Sequence, residues 1–96
     1  MIRNVVMVQL TPGHDPKVVA EIQAGFRALD PPGCVAYTLG DDLGLREGNW
    51  SFAIVADFRD EAAYRAYDAD GEHNRLRGLL APHVETIARA QFTLEA

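Results

Sequence analysis

The sequence predicts a single α+β domain of β-α-β-β-α-(α)-β order, a ferredoxin-like sandwich in which helices cover one face of a four-stranded antiparallel sheet. Three observations predict it. Short segments rich in Val, Ile, Ala and Phe have strand character. Between them lie stretches whose apolar residues recur at helical spacing. Clusters of Gly, Pro and Asp punctuate the junctions. The chain has 96 residues, 48% hydrophobic and 24% charged. That is apolar material for one core and not for two, so the domain is expected to span 1–96.

The first strand is expected over Ile2 to Leu10, where Val5, Val6, Met7 and Val8 form an unbroken apolar run of the kind buried on both faces. Thr11-Pro12-Gly13-His14 is a turn. Asp15-Pro16 opens a helix, Asp capping free amides and Pro fitting the first helical position. Val19, Ile22, Phe26 and Leu29 form its apolar stripe, which predicts a helix from about Pro16 to Leu29. Asp30-Pro31-Pro32-Gly33 stops it. Cys34 to Leu39 is a second strand with Val35, Tyr37 and Leu39 on one face, and Gly40 to Gly48 is a loop. From Trp50 to Phe58, Trp50, Phe52, Ile54, Ala56 and Phe58 alternate onto one face, with Ala53 and Val55 on the other. Asp60 caps a short helix from Glu61 to about Ala69. Asp70 caps another that carries Leu76, Leu79 and Leu80 and ends near Ala81-Pro82. Val84 to Leu94 supplies the last strand, with Ala88, Ala90, Phe92 and Leu94 on one side.

This order creates a problem of coverage. Helices bury one sheet face, yet the first and third strands carry apolar side chains on both. A bare second face would be a large exposed apolar patch. A second copy of the sheet covers it most simply, so a symmetric homodimer closing a dimeric α/β barrel is expected.

Charge and composition exclude other classes. The net charge is -5, and the nine Lys and Arg are scattered, which argues against a nucleic-acid partner. No long apolar run marks a membrane span or a signal peptide. The single cysteine, Cys34, excludes an internal disulfide framework. A reduced, cytoplasmic domain is the expectation.

From end to end the chain resembles the stress-responsive A/B barrel domain family, Dabb, a branch of the dimeric α+β barrel proteins. The matching pieces are Asn4-Val5-Val6-Met7-Val8-Gln9-Leu10, then Pro32-Gly33-Cys34-Val35 with Gly40 closing the second strand. The strand from Trp50 to Phe58 leading into Asp60-Glu61-Ala62 follows. The most specific is Tyr67-Asp68-Ala69-Asp70-Gly71-Glu72-His73, which is similar to the family's Tyr-x-x-His-Pro-x-His segment. Two departures stand out: Asn4 where the family commonly has His, and Asp70-Gly71 where it favours His-Pro. A characterised branch, the plant olivetolic acid cyclase, closes a linear polyketide by aldol condensation with a His and a Tyr six residues before it. The resemblance implies that pair here in His73 and Tyr67.

The residues themselves allow that chemistry. His73 lies just past the Asp70 cap, where the positive end of a helix favours the neutral imidazole that a general base needs; the plainer alternative is a hydrogen bond at a helix end. Tyr67 has a phenol that can orient His73 or donate to an oxygen gaining charge; otherwise it is a packed aromatic. Asn4 can line the same pocket as a donor and acceptor, or merely sit at the sheet's edge. Val6, Val8, Ile22, Phe26, Ile54, Leu76 and Leu80 fall where a pocket wall between the first helix and the sheet would be, or form plain core.

His14 and His83 have no companion ligands at metal-site spacing, so no metal is expected. Cys34 has no activating neighbour in sequence, and no glycine-rich phosphate loop occurs. No cofactor is therefore expected. The readings left open are a binding protein or cofactor-free, polyketide-cyclase-like enzyme for a small apolar or aromatic oxygenated ligand, and a non-catalytic stress-response dimer. A third is a haem- or quinol-handling monooxygenase of the wider superfamily using Asn4, Trp50 and His73. It ranks last because Trp50 falls on a strand.

Overall fold

The computed structural model describes residues 1–95. Its elements are β1 (Ile2–Leu10), α1 (Pro16–Arg27), β2 (Cys34–Asp41), β3 (Phe52–Phe58), α2 (Glu61–Asp68), α3 (Gly71–Leu80), a 3-10 turn (Ala81–His83) and β4 (Val84–Thr93). The strands form one antiparallel sheet in the order β2-β3-β1-β4. This is the predicted α+β, ferredoxin-like architecture.

Each helix starts where a carboxylate can satisfy its free amides. Asp15 Oδ1 accepts from Lys17 N at 2.9 Å, with Pro16 at the first helical position. Asp60 Oδ1 accepts from Ala63 N at 2.9 Å, and Asp70 Oδ2 from His73 N at 3.0 Å. Pro82 closes α3 through the 3-10 turn. Gly33 launches β2 at φ +79°, and a Cβ there would lie 2.6 Å from the Ala63 Cβ. The approach of β2's start to α2 therefore requires glycine.

Directly opposed residues share a sheet face, so the register sorts the side chains. Asn4, Val6 and Val8 stand opposite Ala56, Ile54 and Phe52 on one side and Gln91, Arg89 and Ile87 on the other. All of these face the helices. Val19, Ile22 and Phe26 of α1 and Leu76 and Leu80 of α3 bury there against Val8, Leu10, Leu39, Phe52 and Ile54. Ala56, Phe58 and Tyr67 form a second cluster. The opposite parity puts Val5, Met7, Ala53, Val55, Ala88, Ala90 and Phe92 on the other face, which no helix among the described residues covers. Met7 is 41% and Phe92 48% exposed. Arg3 and Asp57 pair across this face at 2.8 and 2.9 Å.

Five details differ from the sequence expectation. Helix α1 ends at Arg27, not Leu29, because Ala28 caps it ahead of Asp30, whose following proline disfavours helical geometry. Strand β3 starts at Phe52, not Trp50: Ser51 instead ties the strand ends, donating its N–H to Val8 O and accepting from Leu10 N at Oγ. Strand β2 continues to Asp41, while β4 stops at Thr93, one residue short of Leu94. A bulge between Cys34 and Ala36 leaves Val35 54% exposed, and Cys34 instead packs with Tyr37 against the cluster of Ala56, Phe58 and Tyr67.

Candidate functional site

A cavity of about 490 Å³ lies between the sheet and the helices. Its floor is Asn4, Val6 and Val8 of β1, Ile54 of β3, and Val84, Ile87 and Arg89 of β4. Tyr64, Tyr67 and Asp68 of α2, His73, Arg77 and Leu80 of α3, Ala81 and Phe26 enclose it.

The sequence places this cavity under the first helix; the structure places it mainly under α2 and α3, over β1 and β4. Helix α1 packs instead on β2 and α3, touching the cavity through Phe26. That corrects two wall residues. Ile22 and Leu76 are 5% and 3% exposed within the main core and do not line the cavity. They are consumed by the contact between α1 and α3, which is close enough that a Cβ on Gly25 would lie 2.6 Å from Leu76 Cδ2. The other proposed lining residues, Asn4, Val6, Val8, Phe26, Ile54 and Leu80, meet at the cavity together with His73 and Tyr67.

The break between α2 and α3 is what brings His73 and Tyr67 together. Tyr67 lies in the last turn of α2, and Asp70 donates its backbone N–H to Tyr67 O at 3.1 Å while its carboxylate starts α3. Six residues along a continuous helix would leave the rings well apart around its axis. Across the break they stack, with centroids 3.9 Å apart at 28°. Phe26 meets the His73 ring edge-on at 6.0 Å. The contact is ring against ring and not the hydrogen-bonded path that a Tyr–His relay would need. The Tyr67 hydroxyl turns to the Tyr37 hydroxyl at 3.0 Å.

His73 is 7% exposed. Its Nδ1 is sealed from solvent without a hydrogen-bond partner, so Nε2 is the ring nitrogen left for the cavity. Burial pushes the imidazole below its ordinary pKa, and the Arg77 guanidinium adds to this. The Tyr67 carbonyl and the carboxylates of Asp68 and Asp70 oppose it more weakly. The ring is therefore neutral at pH 7. Burial, then the Tyr37 hydroxyl, holds the Tyr67 phenol far above its ordinary range, so it keeps its proton. Asn4, 4% exposed, accepts at Oδ1 from Gln91 Nε2 at 2.7 Å, which fixes its amide.

Sequence reasoning overlooked Tyr37, Tyr64, Asp68, Arg77, Val84, Ile87 and Arg89. Three of them had a usable signal. His73, Arg77 and Leu80 share a helix face at four- and three-residue steps. The parity that put Ala88, Ala90 and Phe92 on one face of the last strand put Ile87, Arg89 and Gln91 on the other. Trp50 lies apart, beside Leu45, Asn49 and Phe52 at the β2–β3 loop, so Asn4, Trp50 and His73 do not form one site. Among the described residues no cluster of three or more His, Cys, Asp or Glu could hold a metal ion.

A ferredoxin-like sheet with one open face and a histidine-lined cavity under its helices defines a class of small α+β barrel proteins. The sequence matches the model of the Stress responsive A/B Barrel Domain over residues 2–94, and the chain belongs to that family. A dimeric ferredoxin-like protein of unknown function from Thermobifida fusca is 30% identical, with a TM-score of 0.88 over 97% of this chain and 90% of that one. A Dabb family protein from Mesorhizobium loti is 19% identical, with a TM-score of 0.73 over 99% and 97%. The hydroxynitrile lyase of Passiflora edulis is 18% identical, with a TM-score of 0.84 over 98% and 93%, a likeness of fold alone. Comparison with curated protein sequences finds no match.

Proposed function

We propose that this chain is a small-molecule-binding homodimer whose cavity carries out cofactor-free proton transfer on an apolar, oxygenated ligand. Cyclisation of a polyketide-like chain is its most concrete form. The observation that carries this reading is the buried, neutral His73 imidazole in a largely apolar cavity of about 490 Å³. His73 Nε2 takes the proton from a carbon next to a ligand carbonyl. The C–H electron pair becomes the new carbon–carbon double bond, and the carbonyl pair moves onto oxygen. Tyr67 supplies the donor for that oxygen. The Tyr67 and Tyr37 hydroxyls share a hydrogen bond at 3.0 Å that either can donate, and with Tyr37 as the donor the Tyr67 hydrogen is available to the ligand. Asn4 offers a second amide donor, and Val6, Val8, Phe26, Ile54 and Leu80 exclude water.

The homodimer is supported by the uncovered apolar face of Val5, Met7, Val55, Ala88, Ala90 and Phe92 and by the dimeric Thermobifida relative. A cytoplasmic setting suits a chain whose one cysteine is a free thiol. No helix among the described residues is long and apolar enough to cross a membrane.

One observation favours a second reading, a non-catalytic binding protein. Asn4 cannot carry a proton near neutrality, so the cavity has one fewer proton-carrying group than a site with His at that position. Deuterium exchange separates the two. Acetophenone in D2O is followed by NMR for loss of its methyl protons. The wild-type protein should accelerate exchange, and His73→Ala should lose roughly 100-fold or more of that acceleration with folding intact. Equal exchange by both proteins overturns the catalytic reading. Acetophenone binding without any exchange establishes the second.

A further inference from the structure

The cavity has a direction. Along β1 its floor changes from Asn4 through Val6 to Val8. The opposed residues of β4 repeat the change: Gln91 stands opposite Asn4, Arg89 opposite Val6, Ile87 opposite Val8 and Val84 opposite Leu10. The helix above does the same, with His73, then Arg77, then Leu80 along α3. A hydrogen bond from Thr11 N to His83 O at 2.8 Å sets the end of α3 over the end of β1, so the three sequences run in register. One end of the cavity is thus polar and basic. The other, formed by Val8, Leu80, Val84 and Ile87, is apolar.

Charge at the polar end is not balanced. Arg77 and Asp68 neutralise each other at 3.0 Å across α3 and α2. Arg89 makes no ion pair among the described residues. The cavity therefore carries one uncompensated positive charge in a chain whose net charge is -5. His73, more than nine-tenths buried, lines the same cavity, and its Nδ1 has no hydrogen-bond partner among the described residues. A guanidinium without an ion-pair partner on the lining of an apolar slot calls for an amphiphile with an anionic head.

We infer that the site takes an apolar carboxylic acid, its carboxylate on Arg89 and its hydrocarbon body against Val8, Leu80, Val84 and Ile87. This names the ligand class for the cavity proposed above and rests on that reading. The head on Arg89 sets the carbons next to it near His73, and the apolar end sets the permitted length of the tail. Arg77 is held by Asp68 and contributes less to the head group.

The test compares octanoate with 1-octanol, which share a tail and differ in charge. Affinities are measured by titration calorimetry, and the His73 side-chain NMR signals report where each probe binds. Wild-type protein should bind octanoate about tenfold or more tighter than 1-octanol, the scale of one charge-assisted contact. Both probes should shift the His73 signals. Arg89→Gln should erase the preference, bringing octanoate down to about the affinity of 1-octanol. Arg89 is exposed on the edge strand, so this variant should fold normally. Equal wild-type affinities, or a preference that survives Arg89→Gln, overturn the inference while leaving the cavity reading intact. If neither probe shifts the His73 signals, the cavity reading falls, and the inference with it.

Discussion

His73 pays for its position in proton affinity. Its pKa in the folded chain lies below the ordinary 6.5, first through burial and then through Arg77. On acidification the unfolded chain therefore takes up this proton before the folded one. The contribution to stability is complete above pH 6.5 and is lost as pH falls from there toward the folded value. Urea unfolding at pH 7.5 and 5.5 should show the wild type losing stability across that window. His73→Phe, which keeps a ring against Tyr67 and Phe26, should flatten this part of the profile. An identical slope in the variant would mean that His73 is not the group responsible. Tyr67 behaves differently, because its hydroxyl meets the Tyr37 hydroxyl and its face stacks on His73. It holds the base by contact, a role that sequence spacing could not distinguish from a hydrogen-bonded relay.

At the scale of elements, the junctions position the chemistry. Asp70 both ends one helix and starts the next, so it sets the angle at which Tyr67 and His73 meet. Asp70→Ala should cost about 1 kcal/mol of stability, the usual effect of a lost N-cap, and should perturb His73 NMR signals more than those of α1. Gly33→Ala should cost more, about 1–3 kcal/mol by thermal or chemical unfolding, since it combines an unfavourable positive φ with a contact against Ala63. These junctions were legible in the sequence because caps and prolines act locally. The alternation of Phe52, Ile54, Ala56 and Phe58 was legible for the same reason. The bulge at Val35 was not, because it depends on the pairing of β2 with β3. Of the candidate site, His73, Tyr67 and Asn4 could be picked out by residue type and by the family segment. Ile22 and Leu76 were misplaced because helical spacing shows which face is buried and not what covers it. Arg77 and Arg89 were passed over because, in one dimension, a charge beside a cavity looks like any solvated charge.

At the scale of the whole molecule, adjacent residues of one strand should separate folding from assembly. Val55 lies on the open face and Ile54 in the core. Wild-type protein should sediment at about twice its 10.6 kDa mass at micromolar concentration. Val55→Lys should yield a folded monomer, because it puts an unpaired charge on the face between subunits. Ile54→Lys should instead disrupt the subunit itself. A wild-type monomer, or a Val55→Lys dimer of undiminished affinity, would contradict the assembly. The strand order β2-β3-β1-β4 also bears on how the protein is made. Asn4 and Gln91, joined across the cavity floor, are 87 positions apart. At 5–20 residues per second the ribosome makes them roughly 4 to 17 seconds apart. Strand β1 lies between β3 and β4, and β4 follows the other three strands in the chain. Throughout that interval Val5, Val6, Met7 and Val8 lack a completed sheet, and the nascent chain has no floor on which to receive a ligand. Ligand binding thus waits on β4, and until it is made the most apolar run of the chain lacks one of its two neighbouring strands.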